Sequence, residues 1–198
     1  MNQSSGREMF QKYKPIIWFL VRITRMIPRR IRVMLFEHCR NRNGIIGIVK
    51  RYVFFSTLAN SVGDNVVIYP GCYFEHIDKI SVGNNVSIHQ MCYIDAAGGV
   101  DIGDNVSIAH RSTILSSNHH YSDKDIPIKY QGMVRSKTIV SDNVWVGCGC
   151  TILAGVTINT GCVIGANSVL TKKTDTIDGI YVGSPARLIK KRYVSPQS

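Results

Sequence analysis

The sequence predicts a mainly β protein, a solenoid of stacked three-sided coils preceded by a helical segment and closed by a short C-terminal helix. Three observations predict it. The motif Ser61-Val-Gly-Asp-Asn-Val66 recurs as Ser81-Val-Gly-Asn-Asn-Val86 and Asp101-Ile-Gly-Asp-Asn-Val106, 20 residues apart each time, and a fourth copy, Ile139-Val-Ser-Asp-Asn-Val144, follows 38 residues later. Inside that period, aliphatic residues return every six positions. The charge, finally, divides the chain in two. Residues 1–55 carry 12 Lys/Arg against Glu8 and Glu37, whereas the rest carries 12 against 11 Asp/Glu, so nearly all of the net +11 lies in the first quarter.

The basic segment comes first in the chain. Residues 12–36 place Ile16, Leu20, Ile23 and Ile27 at helical spacing with Arg22, Arg25 and Arg29 opposite. Pro15 suits a helix start and Pro28 ends or kinks the helix. Two readings stay open for it: an interfacial helix on an anionic membrane, or a cap on the end of the solenoid with its arginines in water. No apolar run reaches the ~18–20 residues of a membrane span, and no small-residue cleavage site follows Ile16–Val21, which argues against a secretory signal. The expectation is a cytoplasmic protein, peripheral at the inner face of the membrane if the first reading holds. The near-neutral remainder argues against a nucleic-acid-binding module.

The solenoid occupies residues 56–198. Its hexads run through Val62, Ile68 and Phe74, then Val82, Ile88 and Ile94, then Ile102, Ile108 and Ile114, and resume at Val140, Val146, Ile152, Ile158, Ile164 and Leu170. Four residues after an aliphatic the residue tends to be small or β-branched, as at Cys72, Cys92, Cys150 and Cys162. A period of six is neither helical nor a two-residue alternation. It fits short strands with a turn after each, the aliphatics stacking inward coil upon coil. The cysteines are then small fillers of the interior. No second Cys/His pair accompanies Cys148-Gly-Cys150, so no metal site is expected, and disulfides are not expected either.

Between the third and fourth motif copies lies a polar insertion, residues 115–138, containing Ser116-Ser-Asn-His-His-Tyr-Ser-Asp123. A polar loop leaving a rigid stack is where function concentrates. With Asp142-Asn-Val-Trp-Val-Gly147 and the tail Val182-Gly-Ser-Pro-Ala-Arg187, this loop makes the chain resemble the hexapeptide-repeat acyltransferases over about residues 60–192. The likeness is greatest to the galactoside and maltose O-acetyltransferase branch and to polysaccharide O-acetyltransferases.

The resemblance implies a left-handed parallel β-helix, acetyl-CoA as co-substrate without a metal, a sugar acceptor, and a homotrimer with sites between subunits. It implies His119 as general base, fourteen residues after Asn105, with His120 as the alternative. Cys148, Ala166, Thr171, Lys172, Arg187 and Lys190 fall at coenzyme-contacting positions. Cys148 replaces a serine frequent in the family, which leaves a weak thiol donor near the oxyanion. On the acceptor side the implied residues are His89, Asp95 and Trp145. His89 stands where galactoside enzymes have Asn, and Ala97 where they have Asp, which argues against a simple galactoside. The expected activity is O-acetylation of a cell-surface polysaccharide or its precursor. N-acetylation of an amino sugar and a non-catalytic scaffold are the alternatives. Solenoid carbonic anhydrases are set aside because the histidine spacing does not match their zinc pattern.

Overall fold

A computed structural model describes residues 6–193. Three helices open the chain: α1 (Gly6–Thr24), α2 (Arg29–Cys39) and α3 (Gly44–Leu58). Pro28 lies between α1 and α2, as its missing N–H and fixed φ require.

The solenoid follows as five coils of three strands. They are β1 (Ser61–Val62), β2 (Val67–Ile68) and β3 (Tyr73–Glu75); β4 (Ile80–Val82), β5 (Ser87–Ile88) and β6 (Tyr93–Asp95); and β7 (Val100–Ile102), β8 (Ser107–Ile108) and β9 (Thr113–Leu115). The insertion then forms β10 (Ser117–His119) and β11 (Met133–Arg135), an antiparallel pair. The coils resume with β12 (Thr138–Val140), β13 (Trp145–Val146) and β14 (Thr151–Ile152), then β15 (Thr157–Ile158), β16 (Val163–Ile164) and β17 (Val169–Leu170). A terminal hairpin of β18 (Gly179–Gly183) and β19 (Ala186–Lys191) ends the described chain.

Equivalent strands pair in parallel into three walls: β1-β4-β7-β12-β15, β2-β5-β8-β13-β16-β18 and β3-β6-β9-β14-β17. We call them walls A, B and C. The fold is thus a left-handed parallel β-helix capped by helices at its N-terminal end. A short C-terminal helix is not formed among the described residues. The last coil would otherwise leave the β16 edge unpaired. β18 covers that edge with parallel bonds, β19 folds back on β18, and Tyr181 is buried beneath them.

The six-residue period becomes columns of side chains along the axis. Ile88, Ile108, Val146 and Ile164 stack behind wall B, and Ile94, Ile114, Ile152 and Leu170 behind wall C, each at most 2% exposed. The intervening small positions, Val66, Cys72, Val86, Cys92, Val106, Ser112, Val144, Cys150, Val156, Cys162 and Ser168, are buried as completely. All six cysteines are free, and burial pushes the Cys150 thiol up, as expected of an inert filler.

The Gly-Asp-Asn turns lie between walls A and B. Asn65, Asn85, Asn105 and Asn143 adopt left-handed φ of 54–57°. The glycine before them is needed for space. A Cβ on Gly83 would lie 2.2 Å from Asp104 Oδ1, and one on Gly103 2.2 Å from Asp142 Oδ1. Those carboxylates accept the N–H groups of Asn84 at 2.6 Å and Asp104 at 2.7 Å, tying each coil to the next.

The helical segment does cap the stack. Phe36, Phe55 and Phe74 meet with ring centroids 4.9–6.1 Å apart, joining α2, α3 and the first coil. Arg51, 1% exposed, is held under α2. Its Nε donates to the Ile68 carbonyl at 2.8 Å, and its Nη1 donates to those of Cys39, Arg40 and Arg42 at 3.0, 3.3 and 2.7 Å. One arginine of the basic arm is therefore a structural bolt rather than a solvated charge.

Candidate active site

The loop that carries His119 is rooted in the solenoid by buried hydroxyls. Ser116 Oγ donates to the Asp95 carbonyl at 2.8 Å and accepts the Gly98 N–H at 2.8 Å. Ser117 Oγ donates to the Asp95 carboxylate, which also accepts the Ala97 N–H at 2.8 Å. Asp95 is 5% exposed, so its charge is offset by these donors and by His76 Nδ1 at 3.5 Å. Asp95 thus acts on the strand two residues before His119. Among the described residues it forms no hydrogen bond to the imidazole. Glu75, His76 and Asp95 place ligand-type atoms within 4.8 Å of one another, but Glu75 and His76 are exposed and Asp95 is engaged by the loop.

From that root β10 pairs with β11, His119 opposite Met133. The two histidines then differ. The His120 backbone N–H donates to the Gly132 carbonyl, and its ring lies 3.4 Å from Gln131 Oε1 and from Ser122 Oγ. The His119 backbone is fixed by Asn118 Oδ1 at 2.9 Å, while its exposed ring makes no hydrogen bond among the described residues. Both histidines border a cavity of about 510 Å³ whose other lining includes Leu115, Ser117, Ser136, Leu153, Ala154 and Thr171. Strand register explains the wall. Asp95 pairs with Leu115, and the Ile114–Ile152–Leu170 column places Leu115, Leu153 and Thr171 one above another at the edge between walls C and A.

The remaining implied residues lie elsewhere on the prism. Lys172 follows Thr171 and is exposed. Cys148 and Ala166 belong to the edge between walls B and C, stacked through the Asn167 N–H to Cys148 carbonyl bond at 2.8 Å. A Cβ on Gly147 would lie 2.7 Å from the Ala166 nitrogen, so these two coils touch through backbone there. His89 is on the same edge further down. Its ring stacks on Tyr69 at 4.7 Å, and burial first, then the facing His110, holds its pKa below the usual imidazole range, which leaves it neutral at neutral pH. Trp145 projects from wall B, 55% exposed. Arg187 and Lys190 are exposed on β19, opposite Val182 and Ile180 of β18.

Within one chain the residues expected to form the site therefore fall on two different edges, as two candidate half-sites. His119, Thr171 and Lys172 sit where walls C and A meet. His89, Cys148 and Ala166 sit where B and C meet, with Trp145 on wall B and the β19 cations at its end. Sequence reasoning did not single out Ser117, Ser136, Leu153 and Ala154. Repeat register would have found one of these, since Leu153 lies 38 residues after Leu115 and 18 before Thr171.

Comparisons with known proteins agree with this architecture. A family model described as "Bacterial transferase hexapeptide (six repeats)" matches residues 137–172. The maltose O-acetyltransferase from Clostridium difficile 630 superposes with a TM-score of 0.71 at 30% identity, covering 81% of this chain and 88% of that one. A galactoside acetyltransferase in complex with coenzyme A superposes with a TM-score of 0.73 at 29% identity, covering 82% and 80%. The Escherichia coli (strain K12) protein WbbJ, whose name assigns it provisionally to lipopolysaccharide biosynthesis as an O-acetyl transferase, is 34% identical over 70 residues, 35% of each chain. The matched stretch spans only 25–39% of the length of three further curated relatives.

Proposed function

The chain belongs to the hexapeptide-repeat acyltransferases, and from that premise we propose that it transfers an acetyl group from acetyl-CoA to a sugar hydroxyl of a cell-surface polysaccharide or its precursor. The observation that carries the reading is the His119 imidazole, without a hydrogen-bond partner among the described residues and bordering a cavity on a loop locked to the stack by Ser116 and Ser117.

In the proposed reaction a ring nitrogen of His119 takes the hydroxyl proton as the sugar oxygen attacks the thioester carbonyl carbon. The tetrahedral intermediate collapses by breaking the carbon–sulfur bond, and the departing thiolate takes the proton back from the imidazolium. No covalent acyl-enzyme is needed when both substrates are bound together. The intermediate's oxygen needs donors. Cys148 supplies only a weak thiol, so backbone N–H groups on its edge take that role. Lys172, Arg187 and Lys190 are exposed and form no ion pair among the described residues, and they meet the coenzyme's phosphates. A galactoside acetyltransferase of the same fold has been solved with coenzyme A, which supports acetyl-CoA as the donor here.

The separation of the half-sites supports a homotrimer. Within one chain, wall C stands between His119 and Cys148–Ala166. A neighbouring copy turned about a three-fold axis sets its B/C edge against the first chain's His119 loop. The protein is expected to sediment at three times 22.1 kDa and to release CoA when acetyl-CoA and a sugar acceptor are both present. A fully active 22.1 kDa monomer would refute the shared site.

A further inference from the structure

The helical cap leaves a broad apolar face uncovered. α1 packs inward through Phe10, Ile17, Val21 and Thr24. Helical spacing carries Phe19 and Ile23 round to the outer side, Ile16 and Leu20 edge it above an apolar groove shared with α3 and the first coil, and Met26 just beyond the helix is 84% exposed. Trp18, Arg22 and Arg25 flank this face. Lys14 is paired with Asp64 and Arg29 with Asp78, but among the described residues no ion pair reaches Arg22, Arg25 or Arg30. The only acidic residues in α1 and α2 are Glu8 and Glu37, and Glu37 pairs with Arg40.

Water alone is a poor neighbour for so many clustered apolar side chains. A second copy of the same face would bring Arg22 and Arg25 against arginines without an acidic patch to receive them. An anionic bilayer offers both an apolar interior and phosphates. We propose that the outer face of α1 lies flat on an anionic lipid surface, with Phe19 and Ile23 entering the acyl boundary, Arg22 and Arg25 meeting lipid phosphates and Trp18 at headgroup level. The helix lies on the membrane and does not span it, since no helix among the described residues is long and apolar enough to cross. Capping and membrane binding are then two faces of one element. The proposal is independent of the acetyl-transfer reading, because binding is measured without turnover.

The test is flotation of the full-length protein with phosphatidylcholine vesicles, with and without about 30% phosphatidylglycerol, at moderate salt. Binding is expected to the anionic vesicles and to be weak with neutral ones. Phe19→Ser/Ile23→Ser and Arg22→Ala/Arg25→Ala are each expected to weaken it about tenfold or more, with sedimentation in free solution unchanged. Absence of binding to anionic vesicles, or wild-type binding by both double variants, overturns the proposal. So does a smaller assembly for the Phe19/Ile23 variant without vesicle binding by the wild type, which would assign the face to contact between copies.

Discussion

Replacing His119 by Ala is expected to lower the acetyl-transfer kcat by about 10²–10⁴-fold, the usual contribution of a positioned general base. The Michaelis constant for acetyl-CoA should change little, because the imidazole acts on the acceptor's proton rather than on the coenzyme. Stability should hold as well, since the ring is exposed and makes no hydrogen bond among the described residues. His120→Ala is expected to have a milder effect, of about tenfold or less, by loosening the Gln131–Ser122 side of the loop. Turnover and thermal melting of the two variants separate these roles. A greater loss in the His120 variant would exchange the assignments.

Replacing Arg51 by Met is expected to destabilise the fold by about 3 kcal/mol, the order expected when buried acceptors lose their donors. The guanidinium donates to four carbonyls, three of them at or just past the end of α2; those of Cys39 and Arg40 also accept the Arg42 and Gly71 N–H groups, whereas those of Ile68 and Arg42 rely on Arg51 most. There a cation also offsets the negative end of the helix dipole. Burial lowers the Arg51 pKa, yet no neutral donor of that reach exists among the side chains. At this chain length the loss corresponds to a fall in melting temperature of roughly 6–12 °C. Arg51→Lys is expected to recover only part of it, because an ammonium cannot reproduce the planar spread of donors. Methionine at wild-type stability would mean that the helices fold onto the first coil without the bolt.

The solenoid was legible because its core is written in a local code. A fixed six-residue step sends Ile88, Ile108 and Ile164 to the same inward place, and the glycine of the turn repeats at Gly63, Gly83 and Gly103 for one reason, the close passage of the next coil's Asn or Asp side chain. The loop of residues 115–138 was legible as a polar interruption of that code. Its hairpin was not, because residues 117–119 and 133–135 are short and pair only with each other. α3 escaped notice for a different reason. Its residues mix buried Tyr52, Val53 and Phe55 with exposed Ile45 and Ile46, so no single apolar stripe marks it. Arg51 was counted with the basic arm, and nothing in its sequence neighbourhood distinguishes a buried cation from a solvated one. At the tail, Lys190 and Lys191 read as a helix end, whereas the unpaired edge of β16 drew the chain into a hairpin. Composition therefore located the excess charge without revealing that it serves both packing and an outward-facing surface.

The most direct measurement of the central claim is transfer of labelled acetyl from acetyl-CoA to a set of sugar acceptors by the wild type and by the His119→Ala variant, with the product treated with mild alkali. The wild type is predicted to form an alkali-labile sugar ester and the variant to form essentially none. An alkali-stable amide product, or ester formed by the variant at the wild-type rate, would contradict the account.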